Sequence, residues 1–206
     1  MTTELPSLSL GKKMIRYMQH KNWRIRAINI VYLEDADPTT WQPKQGKIDE
    51  WDDARILLAD DGRVIMSASA TVEPGLWYTQ NRLNDCGAFR TDNDVQFLDA
   101  WTLGDHKGQF ALVQCRTIKG TRDGNEDGCR PGDVHDEGIF GVNQHTTGAS
   151  QYAPAPSKVG RYSAGCYVGQ YPKTHYNVFM PTLKGTGHEQ FDTAIIPGDK
   201  FALFEA

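Results

Sequence analysis

The sequence predicts a mainly β fold, a sandwich or barrel with a few short helices. Three observations carry that expectation: short runs of alternating or continuous apolar residues, turn clusters of Asp, Asn, Gly and Pro between them, and the absence of any long helical period. The chain has 206 residues with 39% hydrophobic and 23% charged side chains, the balance of an ordinary globular protein. No linker, repeat or low-complexity tract divides it, so we expect a single domain over residues 1–206, with an N-terminal helical segment at 1–22 and the main domain at 23–206.

Leu8, Leu10, Met14, Ile15 and Met18 recur at near-helical spacing and predict a helix over about residues 9–20. Residues 24–33 alternate as a half-buried strand does. Residues 35–52, with Pro38, Pro43 and Gly46, read as a long surface loop. The clearest hairpin follows: Arg55–Leu58, the turn Asp60-Asp61-Gly62, and Arg63–Thr71, stopped by Glu73-Pro74-Gly75. Residues 108–117 and 138–145 read as buried strands, and 146–160, with Gly148, Pro154 and Pro156, as a loop closing over something. Two short strands are expected around Pro197-Gly198 in the tail.

Composition excludes several functions. With 22 Lys and Arg against 26 Asp and Glu, the net charge is −4, which argues against nucleic-acid binding through bulk charge. No apolar run approaches the ~20 residues of a membrane span. The first residues lack the apolar stretch and small-residue cleavage site of a secretory signal. Walker A and GxGxxG patterns are missing, so nucleotide chemistry has no support. The cysteines Cys86, Cys115, Cys129 and Cys166 form no CxxC pair and are too sparse for a disulfide scaffold; free thiols are expected, although Cys115 and Cys129 flank a turn-rich segment.

The chemistry-bearing stretch is residues 138–168, GIFGVNQHTTGASQYAPAPSKVGRYSAGCYV. A strand would deliver His145 to its end, a Gly/Pro-rich loop follows, and Val159-Gly160 leads into Ser163-Ala164-Gly165-Cys166. A free thiol is mostly protonated at neutral pH, and a histidine within reach can take its proton. Gly165 lets the backbone turn tightly, Ser163 either orients the site or shapes the turn, and the amides of Gly165 and Cys166 are candidates for an oxyanion hole.

This pattern resembles the catalytic signature of the L,D-transpeptidase catalytic domain (YkuD-type): a histidine ending a strand, a loop, a hydrophobic-Gly pair, and an S-x-G-C box. His145, Val159-Gly160, and Ser163, Gly165 and Cys166 match it. The resemblance is specific over about 138–168, diffuse over 60–117, and absent from the first 50 residues. It implies a mainly β domain whose cysteine attacks peptidoglycan stem peptides and passes the acyl group to an amine or to water. Two positions depart from the family: Val168 stands where an arginine is usual, and Thr146 where a glycine is usual. They point to a divergent phage or bacterial branch with an SAGC box. The expected partners are stem peptides and virion or other assembly components. The expected route is cytoplasmic synthesis followed by action at the cell wall after release or within a virion. The alternative is a non-catalytic structural or wall-binding module that keeps the fold.

Arg161 and Lys158 are candidates to replace the missing arginine, and Thr146 and His106 are candidate substrate contacts; read alone, His106 is a surface turn residue. No cofactor is expected for catalysis. Asp123-Gly124-Asn125-Glu126-Asp127-Gly128 reproduces the opening of an EF-hand loop, making Asp123, Asn125 and Asp127 candidate calcium ligands. Val134 stands where the bidentate glutamate belongs, and the competing reading is a solvated acidic turn. His135, Asp136 and His145 lack paired zinc-ligand spacing.

Overall fold

A computed structural model describes residues 7–205; the first six residues of the N-terminal segment lie outside it. In chain order the elements are α1 (Leu8–His20), β1 (Ile28–Glu34), β2 (Asp53–Ala59), β3 (Val64–Thr71), α2 (Leu76–Gln80), β4 (Ala88–Thr91), β5 (Val95–His106), β6 (Gln109–Gln114), β7 (Ile118–Asp123), β8 (Val134–Gly138), β9 (Gln144–Thr146) and β10 (Tyr167–Gly169). Next come α3 (Pro172–Thr174), a π-helical turn (His175–Phe179), α4 (Met180–Gly185), β11 (Gln190–Pro197) and α5 (Gly198–Leu203). Eight strands close a barrel in the order β1-β11-β5-β6-β9-β10-β3-β2, and β4-β7-β8 form a separate three-stranded sheet. The fold is mainly β, as the sequence predicts.

The alternation along each strand sorts side chains into two apolar clusters. Ile30, Tyr32, Leu57, Trp101, Tyr167 and Ile195 gather with Phe179, Met180 and Leu183 of the π turn and α4. Val31, Leu33, Ile56, Leu58 and Ile196 face the other way, under α1 and α5. Met14, Ile15, Tyr17 and Met18 are the buried stripe of α1, each contributing about 1.5–3 kcal/mol by leaving water. Ser7 caps this helix, its hydroxyl accepting from the Leu10 amide at 3.4 Å.

Several elements differ from expectation for identifiable reasons. β1 is buried on both faces rather than one, because α1 and α5 cover its outer side. The 35–52 loop is anchored: Trp41 is buried, and its Nε1 donates to Ser67 Oγ at 3.0 Å. The strand expected at 138–145 contracts to Gln144–Thr146, because the Phe140 and Val142 amides donate to the Gln114 side-chain carbonyl (3.0 and 2.9 Å) instead of to a neighbouring strand. Likewise 108–117 contracts to Gln109–Gln114. The tail holds one strand and then a helix, α5, whose Phe201 packs on Trp41 at 5.9 Å. All four cysteines are free thiols.

Candidate active site

β9 and β10 run parallel and adjacent, with Val168 beside His145 and the Tyr167 amide donating to Asn143 O at 2.9 Å. This pairing brings Cys166, one residue before β10, next to the residues that lead into β9. The S-x-G-C turn has its own scaffold. Ser163 is fully buried; its Oγ donates to Cys166 O at 2.7 Å and accepts from the Gly165 amide at 3.1 Å. The Gly165 amide is therefore occupied within the turn, which leaves the Cys166 amide as the member of the expected oxyanion pair. Gly165 itself has φ +117°, and a Cβ there would lie 2.7 Å from Phe89 O. Gly165→Ala is expected to cost roughly 1–3 kcal/mol for the backbone conformation alone, with a further loss as Cys166 is pushed out of register. A thermal melt unchanged from wild type would contradict this.

The histidine tautomers follow from their partners. His145 Nδ1 lies 2.8 Å from Thr146 O; a carbonyl only accepts, so Nδ1 carries the proton and Nε2 the lone pair. That Nε2 is buried and has no hydrogen-bond partner. Asn143 Oδ1 accepts from the Gln114 amide at 2.9 Å, which fixes the amide orientation and turns Nδ2 toward His106 Nδ1 at 2.8 Å. His106 Nδ1 is thus an acceptor, and the ring proton sits on Nε2. The two imidazoles stack, with centroids 4.4 Å apart and planes 24° from parallel. A ring nitrogen of each histidine and Cys166 Sγ lie within 4.8 Å of one another. The thiol's own hydrogen bonds run elsewhere: Sγ donates to Gly141 O and accepts from the Asn143 amide, both at 3.5 Å.

Burial keeps every member of this cluster neutral. It pushes the Cys166 thiol up, an effect the Asn143 N–H opposes. It pulls His145 down to about 3, against the Thr146 carbonyl and with the neighbouring His106 adding to the fall. His106 is lowered by burial and by Lys107. The resting pair is a neutral thiol beside a neutral imidazole, not a preformed thiolate–imidazolium ion pair.

The other sequence candidates lie in varied settings. Thr146 is fully buried; its hydroxyl donates to Gly169 O at 2.8 Å, so its contribution to the site is the carbonyl that orients His145. Arg161 stacks its guanidinium on Trp77 at 3.8 Å, and Lys158 pairs with Glu50. His106, expected on the surface, is half-buried against His145. Lys107, at the tip of the β5–β6 hairpin, is exposed and has no ion-pair partner among the described residues.

The same contacts bear on metal binding. His106, His145 and Cys166 are a donor set that suits zinc. Neither nitrogen of His106 offers a free lone pair, however, unless the Asn143 amide turns over and leaves the Gln114 N–H facing an NH2 group. In the acidic 123–128 turn, Asp123 Oδ2 accepts from Arg90 Nε (3.3 Å) and the Gly128 amide (3.0 Å). Asp127 accepts from Asn125 Nδ2 and the Cys129 amide, and Asn125 Oδ1 from the Asp127 amide. The Asn125 and Asp127 oxygens close the turn on itself and Asp123 Oδ2 is held by Arg90, while Asp123 Oδ1 is buried without a partner. His135 is exposed on β8, and Asp136 pairs with Arg122 at 2.8 Å.

Asn143, Arg55 and His175 are site neighbours that sequence reasoning passed over. Asn143 was legible: it lies two residues before His145, on the same side of an extended chain. Arg55 and His175 gave no local signal. Comparison with protein-family models, with curated proteins and with solved structures finds no match, so the family resemblance rests on residues 138–168 themselves.

Proposed function

We propose that the chain is a cysteine-dependent hydrolase or transpeptidase of peptidoglycan stem peptides. The observation that carries this reading is the buried, unpartnered Nε2 lone pair of His145, with its ring fixed by Thr146 O, in the cluster that holds Cys166 Sγ. Substrate binding brings the thiol proton to His145 Nε2, and the Asn143 N–H stabilises the sulfur as charge develops. The S–C bond forms as the carbonyl electrons move to oxygen, where the Cys166 amide is placed to meet them. Collapse breaks the C–N bond, the departing amine takes the proton from His145, and a thioester remains. Water or an acceptor amine then adds to the thioester as His145 removes its proton, and the departing sulfur is reprotonated. Hydrolysis suits a phage lysin or a virion-associated wall enzyme; an amine acceptor gives a cross-link. The direct test incubates the protein with purified muropeptides and follows shortened or cross-linked products by mass spectrometry. Products from wild type but not from Cys166→Ala support the reading, and no product from wild type counts against it.

A second reading, a non-catalytic wall-binding or virion module, is favoured by one observation: the Cys166 thiol donates to Gly141 O and not to His145. Substrate recognition separates the two. With Arg161 and Lys158 engaged elsewhere, Lys107 is the cation whose field reaches Cys166, His145 and His106 together. A stem peptide presents carboxylates, which such a charge would attract. Lys107→Ala is expected to raise KM for a carboxylate-bearing stem peptide about tenfold while leaving kcat within twofold, the signature of lost uniform binding. Equal KM in both proteins would remove Lys107 from recognition.

A further inference from the structure

Arg55 of β2 is a buried cation without a counter-ion. Its residue is 1% exposed, and no Asp or Glu among the described residues lies within ion-pair distance. Charges are rarely buried unpaired, because an ion loses its hydration on leaving water, so its placement calls for a reason. Its partners supply one. Nη1 donates to His145 O at 3.2 Å and to His175 Nδ1 at 3.3 Å, and the guanidinium lies over the Phe179 ring at 4.2 Å. His175 is itself fixed, since its Nε2 donates to Phe110 O at 2.8 Å, which leaves Nδ1 as the acceptor Arg55 needs. One guanidinium thus ties β2 and the π turn to the backbone of the histidine that faces Cys166. The neighbouring strand makes room: a Cβ on Gly169 would fall 2.0 Å from Arg55 Nη2. The φ of Gly169 is not in the left-handed region, so what a side chain there would disturb is the arginine and not its own backbone.

We propose that Arg55 is the positioning residue of His145, acting through its carbonyl, and that Gly169 serves the site as the space this guanidinium fills. The proposal rests on the reading of His145 as the base for Cys166. Two perturbations reach the contact from opposite sides: Arg55→Met removes the donor, and Gly169→Ala displaces it without altering any charge. Each is expected to lower kcat 10- to 100-fold with KM within twofold, the scale of a small misplacement of a catalytic group. The double variant should be no slower than Arg55→Met alone, because the alanine methyl then has space. The readout independent of turnover is the 15N spectrum of His145. It should show one tautomer, protonated at Nδ1, in wild type and a mixture in both variants. Wild-type spectra and rates in folded Gly169→Ala would overturn the proposal, as would additive losses in the double variant. If Arg55→Met fails to fold, Gly169→Ala and its spectrum carry the test. If wild type turns over no stem peptide, the functional reading fails while the spectrum still decides whether Arg55 holds His145.

Discussion

Cys166→Ala is expected to lower turnover of stem peptides by about 10⁴-fold or more, since the covalent route has no other nucleophile in the cluster. Stability should change by less than about 1 kcal/mol, because a half-buried sulfur is a small part of the packing it shares with Trp51, Val159 and Val168. His145→Gln should approach the same loss, as the thiol would then face no base. The pH dependence of alkylation sharpens the case. A catalytic cysteine is usually expected to react first at pH 6–7, but the burial that raises the Cys166 thiol and lowers His145 reverses the order here. Iodoacetamide should modify exposed Cys86 and Cys129 ahead of Cys166 at pH 7. Because burial raises the Cys166 thiol, its own rate should keep climbing with pH beyond the ordinary thiol range. Preferential labelling of Cys166 at pH 6 would mean that an ion pair exists in the free protein. Full turnover by Cys166→Ala would remove the covalent mechanism.

What the sequence disclosed about this site depended on range. The S-x-G-C turn was legible because its reasons are local: Ser163 and Gly165 bond within four residues, and the positive φ of Gly165 demands glycine. His145 was legible as the end of an extended run, even though that run pairs over fewer residues than its composition implies. The Gln114 side chain takes the amides of Phe140 and Val142, and no periodicity announces a side chain standing in for a strand. Arg55 was not legible as a site residue, and His106 was legible as a candidate substrate contact but not as a ring stacked on His145. His106 reaches the site because β6 pairs with β9, which sets the β5–β6 hairpin tip beside His145, and Arg55 because the barrel order leaves one strand, β3, between β2 and β10. The one-sided burial expected of β1 failed for the same reason, since the covering helices come from the two ends of the chain. Local chemistry was readable, and chemistry assembled by topology was not.

Asp123→Ala is expected to be the most damaging substitution for stability. The residue opens the EF-hand-like sequence, yet its carboxylate is fully buried, with Oδ2 bonded to Arg90, itself fully buried, and to the Gly128 amide. Calcium would have to displace a guanidinium to reach that oxygen. Removing the carboxylate leaves Arg90 with Glu73, at 2.7 Å and partly exposed, as its remaining acidic partner. Breaking a buried pair from one side typically costs about 3–5 kcal/mol, which for a chain of this size lowers Tm by roughly 6–20 °C. The loss should extend to the candidate site. Arg90 and Asp123 lie on the paired strands β4 and β7, and Phe89 O of β4 is the atom a side chain at Gly165 would meet first. Loosening this pair therefore frees the wall behind the cysteine turn, and kcat should fall together with Tm. Asp123→Asn keeps an acceptor for the Gly128 amide without the charge and should lose about half as much stability. The decisive measurement is a set of thermal melts with and without millimolar calcium. Equal melting temperatures in wild type, alongside a large calcium-independent loss in Asp123→Ala, assign the residue to the Arg90 pair. A calcium-dependent gain in wild type that vanishes in the variant would assign it to a cation instead, because a ligand bound only by the folded state raises Tm by mass action.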